Sequence, residues 1–301
     1  MSTYSRVLTV ALLALSLLGP MPAAAKTLRL AMDAEPVSMD PHAHLSTGTL
    51  QFSHLVFDPL LRWTKAMDFE PRLAHKWERI DARTLRFHLR KGVTFHSGNP
   101  LTAKDVEWTL QRLKRSESFK GIFEPVAGSK IINDHTIDLI TKSPYPLLLN
   151  IATYIFPMDR QFYNGVDDLG KPKDAIAKFE PSFARDNASG TGPFRVTERV
   201  PGARMVFERV ASYWDTQSPG NVSRIELSAI GDASDRVNAL LAGKMDMIMP
   251  VAPQDYDQVR LVDGVRLVTT ATPPDHSASV EPGPSAGIQG CSGAPGHRAC
   301  H

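Results

Sequence analysis

Cysteine is nearly missing from this chain of 301 residues: it holds two, Cys291 and Cys300, both close to its end. A disulfide framework is thereby excluded for everything before them, and the body must be held by packing and polar contacts. A charge of one sign is missing too. Lys and Arg number 34 against 32 Asp and Glu, which leaves no long-range field to draw a nucleic acid or an anionic membrane. No CxxC and no HExxH occurs, and no glycine loop is followed by the Lys and Ser/Thr of a phosphate loop. Catalysis therefore has no candidate constellation. Long apolar runs are scarce, and the one at 7–18 is too short to span a bilayer. With Arg6 before it and Ala23, Ala24 and Ala25 after it, that run predicts an export signal at 1–25, cleaved after Ala25. No cysteine stands there to be lipidated, so the mature protein is expected free in a periplasm.

What is present begins with patterning. Leu85, Phe87 and Leu89 alternate with Arg86, His88 and Arg90, the period of a strand with one buried face. Lys91 and Gly92 interrupt, a short run follows at 93–95, and Ser97, Gly98, Asn99 and Pro100 turn, which predicts two strands joined by turns. Thr102 with Asp105 is a capping pair, and Val106, Leu110 and Leu113 supply the buried stripe of a helix. The segment 131–140 predicts a hairpin turning at Asn133 and Asp134. Strands are also predicted over 28–32, 205–210 and 225–230, and a helix from Gln51. Asp232 caps a helix that turns Val237, Leu240 and Leu241 inward, Gly243 ends it, and 245–249 returns as a strand. This βαβ order predicts an α/β fold whose mixed sheet carries helices.

Eight short words carry a further signal: FDPLL at 57–61, PRLAHKW at 71–77, FHLRKGVTF at 87–95, LTAKDV at 101–106, GTGPF at 190–194, SYW at 212–214, DASDRVNALL at 232–241 and GKMDMI at 243–248. In this order they resemble the family 5 extracytoplasmic solute-binding proteins of ABC importers, a group that includes dipeptide, oligopeptide and nickel binders. The resemblance implies an α/β fold. A periplasmic-binding-protein-like type II lobe would be built from 26–56 and 150–270, with an extra α+β subdomain at 57–149 and the second lobe missing. The function it implies is capture of di- or oligopeptides, or peptide-like solutes, by closure of two lobes. An inner-membrane permease and ATPase would be the partners, the protein a monomer, with no cofactor and no enzymatic step. Two other readings stay open: a non-functional truncated fragment of such a protein, and an exported metal-binding hydrolase using His42, His44 and His54. The second lacks a carboxylate and a third ligand at any closed-site spacing, so these read as ordinary loop histidines.

In relatives the loop at 42–49 lies at the mouth of the cleft. The resemblance therefore implies ligand contacts from Thr47, Gly48 and Thr49, whose hydroxyls and backbone N–H groups suit the polar ends of a peptide. It also implies cleft-facing aromatics, Phe119 and Tyr154, while Phe123, Tyr145 and Trp214 are expected to pack. Gly190 and Gly192 are expected to supply dihedrals closed to other residues. Beyond Thr270 the chain changes, with five Pro and five Gly in 31 residues and no Leu, which predicts disorder. The stretch IQGCSGAPGHRACH, back-translated and read one nucleotide later, can spell a charged helix similar to the one opening the family's second lobe. The expectation is that 271–301 is an out-of-frame tail.

Overall fold

The structure, a computed structural model, describes residues 26–217, 220–269 and 278–282. The expected export signal, both cysteines and most of the tail lie outside them. Two compact units divide these residues: a larger one of 26–28 and 34–227, and a smaller one of 29–33 with the residues from 228 onward. Among the described residues no helix is long and apolar enough to cross a membrane.

Strand β1 (Lys26–Met32) runs out of the larger unit into the smaller. Helix α1 (Thr47–Val56) follows, its entry fixed by Ser46, whose hydroxyl accepts from the Thr49 N–H. A two-stranded ribbon, β2 (Leu61–Trp63) and β3 (Phe69–Pro71), is pinned by Trp63 against Phe69, ring centres 4.2 Å apart. Next come β4 (Ala74–Arg79), β5 (Thr84–Leu89), helix α2 (Ala103–Arg115), β6 (Val126–Asn133) and β7 (Thr136–Thr141). The four strands make an antiparallel sheet in the order β4-β5-β7-β6. The alternation of β5 holds, since Leu85, Phe87 and Leu89 are buried, and α2 lays Val106, Leu110 and Leu113 on the same core. Asp105 caps α2 as expected, its carboxylate accepting from both the N–H and the hydroxyl of Thr102. Short helices α3 (Leu148–Ala152) and α4 (Phe183–Asp186) precede the hairpin β8 (Phe194–Val200) and β9 (Arg204–Arg209), with β10 (Val222–Ala229) beside β9.

Two expectations for this unit need correction. The run at 93–95 is no strand. It makes one bridge, Thr94 to Pro100, because the chain doubles back within five residues and Ser97 and Asn99 turn their side chains to Asp159 instead. The hairpin of β6 and β7 turns at Asp134 and His135, one residue later than expected, with the Asn133 side chain accepting from the His135 N–H. One apolar core runs from Leu60 to Ile155, and polar ties bind it to residues before and after it.

In the smaller unit, helix α5 (Ala233–Leu241) is capped by Asp232, which accepts from the Asp235 N–H, and ends at Gly243 with φ 65°. Strand β11 (Met247–Val251) then lies parallel to β1, registering Leu30 on Met247 and Met32 on Met249. Helix α6 (Tyr256–Arg260) and strand β12 (Val265–Thr269) complete the unit with β13 (Ala278–Pro282), which pairs antiparallel with both β11 and β12. The mixed sheet is as expected. Leu241 is not: it is 37% exposed, while Val237 and Leu240 face Ala31, Ile248 and Val251. Nor does disorder hold for 278–282, since a main chain can ladder onto two neighbouring strands whatever its side-chain periodicity.

Candidate ligand-binding face and its polar frame

Helix α2 carries two stripes. Beside the apolar one, Asp105, Thr109 and Arg112 recur at helical spacing and are all buried. Asp105 and Thr109 tie the loop at 158–160, and Arg112 ties two others. Asp105 accepts from the Arg160 N–H at 3.2 Å, and Thr109 Oγ1 from the Met158 N–H at 2.9 Å. Arg112, fully buried, forms a fork with Asp40 at 2.7 and 2.5 Å and also donates to the Asp174 and Ala175 carbonyls. Burial works to raise the pKa of Asp40, but the Arg112 charge and its hydrogen bonds outweigh it, and the carboxyl is held below its ordinary value.

His42 sits inside this frame. Arg112 Nη1 lies 3.0 Å from Nδ1, and a guanidinium can only donate, so Nδ1 accepts and the ring proton is on Nε2, which donates to the Phe156 carbonyl at 3.2 Å. Burial first, then the Arg112 charge, lowers its pKa to about 3. His42 sits in a turn, as expected of a loop histidine, but it is buried, neutral and fully satisfied. Among the described residues no group of three His, Cys, Asp or Glu side chains is arranged to hold a metal.

A second frame centres on Asp58, which is 3% exposed. Its carboxylate accepts from Arg72 Nη2 at 2.9 Å, Tyr213 Oη at 3.0 Å, Trp214 Nε1 at 2.8 Å and Thr191 Oγ1 at 3.3 Å. Burial and then the Asp58 charge push the pKa of Tyr213 up, so its hydroxyl stays a donor. Trp214 packs on the apolar core, as expected, and its indole N–H ties that core to Asp58. Gly190 and Gly192 belong here for a reason other than their dihedrals, neither having a positive φ. A Cβ on Gly190 would stand 2.0 Å from the Val56 carbonyl oxygen, and one on Gly192 2.5 Å from the Val56 carbonyl carbon. They allow one backbone to press on another.

The residues expected to touch ligand fall into two groups. Thr47 is exposed at the start of α1, and nothing lies within 4 Å of where a Cβ on Gly48 would be. Tyr154 is half-buried, its ring edge-on to Phe119 with centres 6.4 Å apart. Thr49 and Phe119 lie within: Thr49 is buried and exchanges a hydrogen bond with Ser46, and Phe119 is buried between His42 and Tyr154. Phe123 is core, as expected, and Tyr145 packs on that core. The sequence reading missed Asp40, Asp58, Arg72 and Arg112. The spacing of 105, 109 and 112 was the available signal for the first frame, and four separate motif words hold the second.

Over residues 68–280 the chain matches the family described as bacterial extracellular solute-binding proteins, family 5. The chain belongs to this family. Of family 5 relatives, it is 25% identical over 237 residues to the periplasmic oligopeptide-binding protein OppA of Salmonella typhimurium, covering 71% of this chain and 41% of that protein. It is 24% identical over 266 residues to the dipeptide-binding protein DppE of Bacillus subtilis, covering 79% and 46%. The chain therefore spans less than half the length of these curated relatives. The solved oligopeptide-binding protein AppA of Bacillus subtilis, in complex with a nonapeptide, has the same fold with a TM-score of 0.72 at 19% identity, over 82% of this chain and 48% of that one. DppA of Helicobacter pylori, in complex with the peptide STSA, gives 0.70 at 20%, over 81% and 50%. The lobe is of the type II periplasmic-binding-protein kind. The family 5 words FDPLL, PRLAHKW, GTGPF and SYW meet around Asp58, so in this chain they build the frame.

Proposed function

We propose that this chain is the substrate-binding component of an ABC importer, exported to a periplasm, and that it captures di- or oligopeptides or peptide-like solutes by closure of two lobes. Binding needs no bond making, and the captured solute passes to an inner-membrane permease and its ATPase. The reading is carried by one observation: the segment bearing Thr47 and Gly48 is open, while the residues leading into it are locked by Arg112, His42 and Ser116. Such an arrangement holds backbone N–H groups and a hydroxyl ready for a peptide's polar ends at little ordering cost. Tyr154 offers an apolar ring with a hydrogen-bonding tip, and Phe119 and Thr49 support the two contacts from behind. That relatives of the same family are named for dipeptide and oligopeptide binding supports the substrate class.

The test is calorimetry of the chain against a mixture of di- and tripeptides. Weak peptide heats are expected, since closure takes two lobes and one is described, and Tyr154→Ala should weaken binding about tenfold further, the loss of one aromatic contact of about 1.4 kcal/mol. Equal affinity in Tyr154→Ala and Thr47→Val would remove this face from the site, and no heat with any peptide would remove the substrate class.

A further inference from the structure

Trp214 is flanked by two guanidinium groups, Arg72 and Arg90, each 4.8 Å from its ring centre. Their charges are met differently. Arg72 has Asp58 at 2.9 Å, Asp215 at 2.8 Å and Glu70 at 3.7 Å. Arg90 gives its Nε–H to the Arg72 carbonyl at 2.7 Å, and among the described residues no carboxylate pairs with the rest of its fork. Its face is taken by the indole and one donor by a carbonyl, so the terminal N–H groups are held in place with nothing to bind.

Arg90 and Trp214 line a cavity of about 540 Å³ with Glu70 and Asp215, the acids that Arg72 already pairs, and a second one without acids. This second cavity, of about 290 Å³, is lined by His75, Arg90, Lys91, Val93 and Trp214. Through His75 and Lys91 it adjoins a further cavity of about 370 Å³, which Asp134 also lines and where the buried Nδ1 of His135 has no partner among the described residues. His88, in the wall of that further cavity, already has Glu78 at 2.9 Å. Burial, and then the charges of Arg90, His88 and Lys76, lower the pKa of His75, as a place short of negative charge would.

We propose that Arg90, Lys91 and His75, beside Trp214, form a second binding site, for a phosphate-type oxyanion. A guanidinium edge takes two oxygens of such an anion, while the ammonium and imidazole supply further donors without the rigid geometry. The site is separate from Thr47, Gly48 and Tyr154 and does not depend on peptide capture.

The experiment is calorimetry of the full chain with inorganic phosphate, and cosedimentation with phosphatidylglycerol vesicles against phosphatidylcholine ones. Lys91 is exposed and makes no side-chain hydrogen bond or ion pair among the described residues, so Lys91→Gln tests the charge with little cost to the fold. It should weaken binding about tenfold, and Arg90→Gln/Lys91→Gln by about tenfold more, one charge-assisted contact each. Peptide heats should be unchanged in both variants. Binding of free phosphate alone identifies a soluble oxyanion, and binding of phosphatidylglycerol vesicles identifies a headgroup. Either supports the proposal provided Lys91→Gln weakens it. Equal affinity in wild type and both variants, or no binding in either arm, overturns it.

Discussion

Met67 occupies a backbone conformation that suits glycine. At φ 64° it is the non-glycine residue of the described chain with positive φ, and its side chain is 68% exposed at the tip of the β2–β3 ribbon, so no packing repays the strain. Met67→Gly should therefore raise stability by about 1 kcal/mol, read as a higher urea midpoint with an unchanged slope. His42 makes the opposite kind of prediction. Its pKa falls from 6.5 unfolded to about 3 folded, so between those values the unfolded chain binds a proton that the folded chain does not. Stability then rises with pH across this window and is complete above it; lowering the pH from 7 to 5 should cost about 2 kcal/mol through this residue. Urea titrations at both values check this. In His42→Gln the dependence should flatten by about one proton, whatever the variant's stability at pH 7.

At the scale of elements, the two frames decide which substitutions are severe. Asp58→Ala would leave Arg72 buried beside three hydroxyl and indole donors stripped of their acceptor, an expected loss of about 3 to 5 kcal/mol by urea unfolding. Gly190→Ala should cost about 3 kcal/mol, because its Cβ would meet the end of α1 and must move backbone rather than a side chain. Strands and helices with one apolar stripe, such as β5, α2 and α5, were legible because burial imposes a period that the sequence displays. Arg112 was not, since a charged residue two turns after Asp105 reads as solvent-facing until the loops that cover it are known. Gly190 was read as a dihedral device for the same reason. Its closeness to Val56 belongs to two segments far apart in the chain, and no local pattern reports it. Thr47 and Tyr154 came from likeness to a family, and the fold leaves both accessible while it turns Thr49 and Phe119 inward.

Over the whole molecule, each unit encloses its own apolar cluster, and the clusters differ in size. Among the described residues the larger holds Phe87, Leu139 and Phe123 with many other buried members, the smaller six around Ile248 and Val237. Local opening follows buried apolar contact, so hydrogen exchange in mild urea should release the Val237 and Ile248 amides well before those of Phe87 and Leu139. A single common exchange rate would mean that the two units open together.

The Asp58 frame also sets a clock. Trp214 lies 156 residues beyond its acceptor, and Thr191 lies 133 beyond it. A ribosome adding about 5 to 20 residues per second needs about 8 to 30 seconds to reach the indole after making the carboxylate. Arg72 is made first, Thr191 follows late in that interval and Tyr213 and Trp214 come last, so the frame around Asp58 is completed only when its final two donors are made. The larger unit of the chain is thus one whose polar frame closes last, from its distant end.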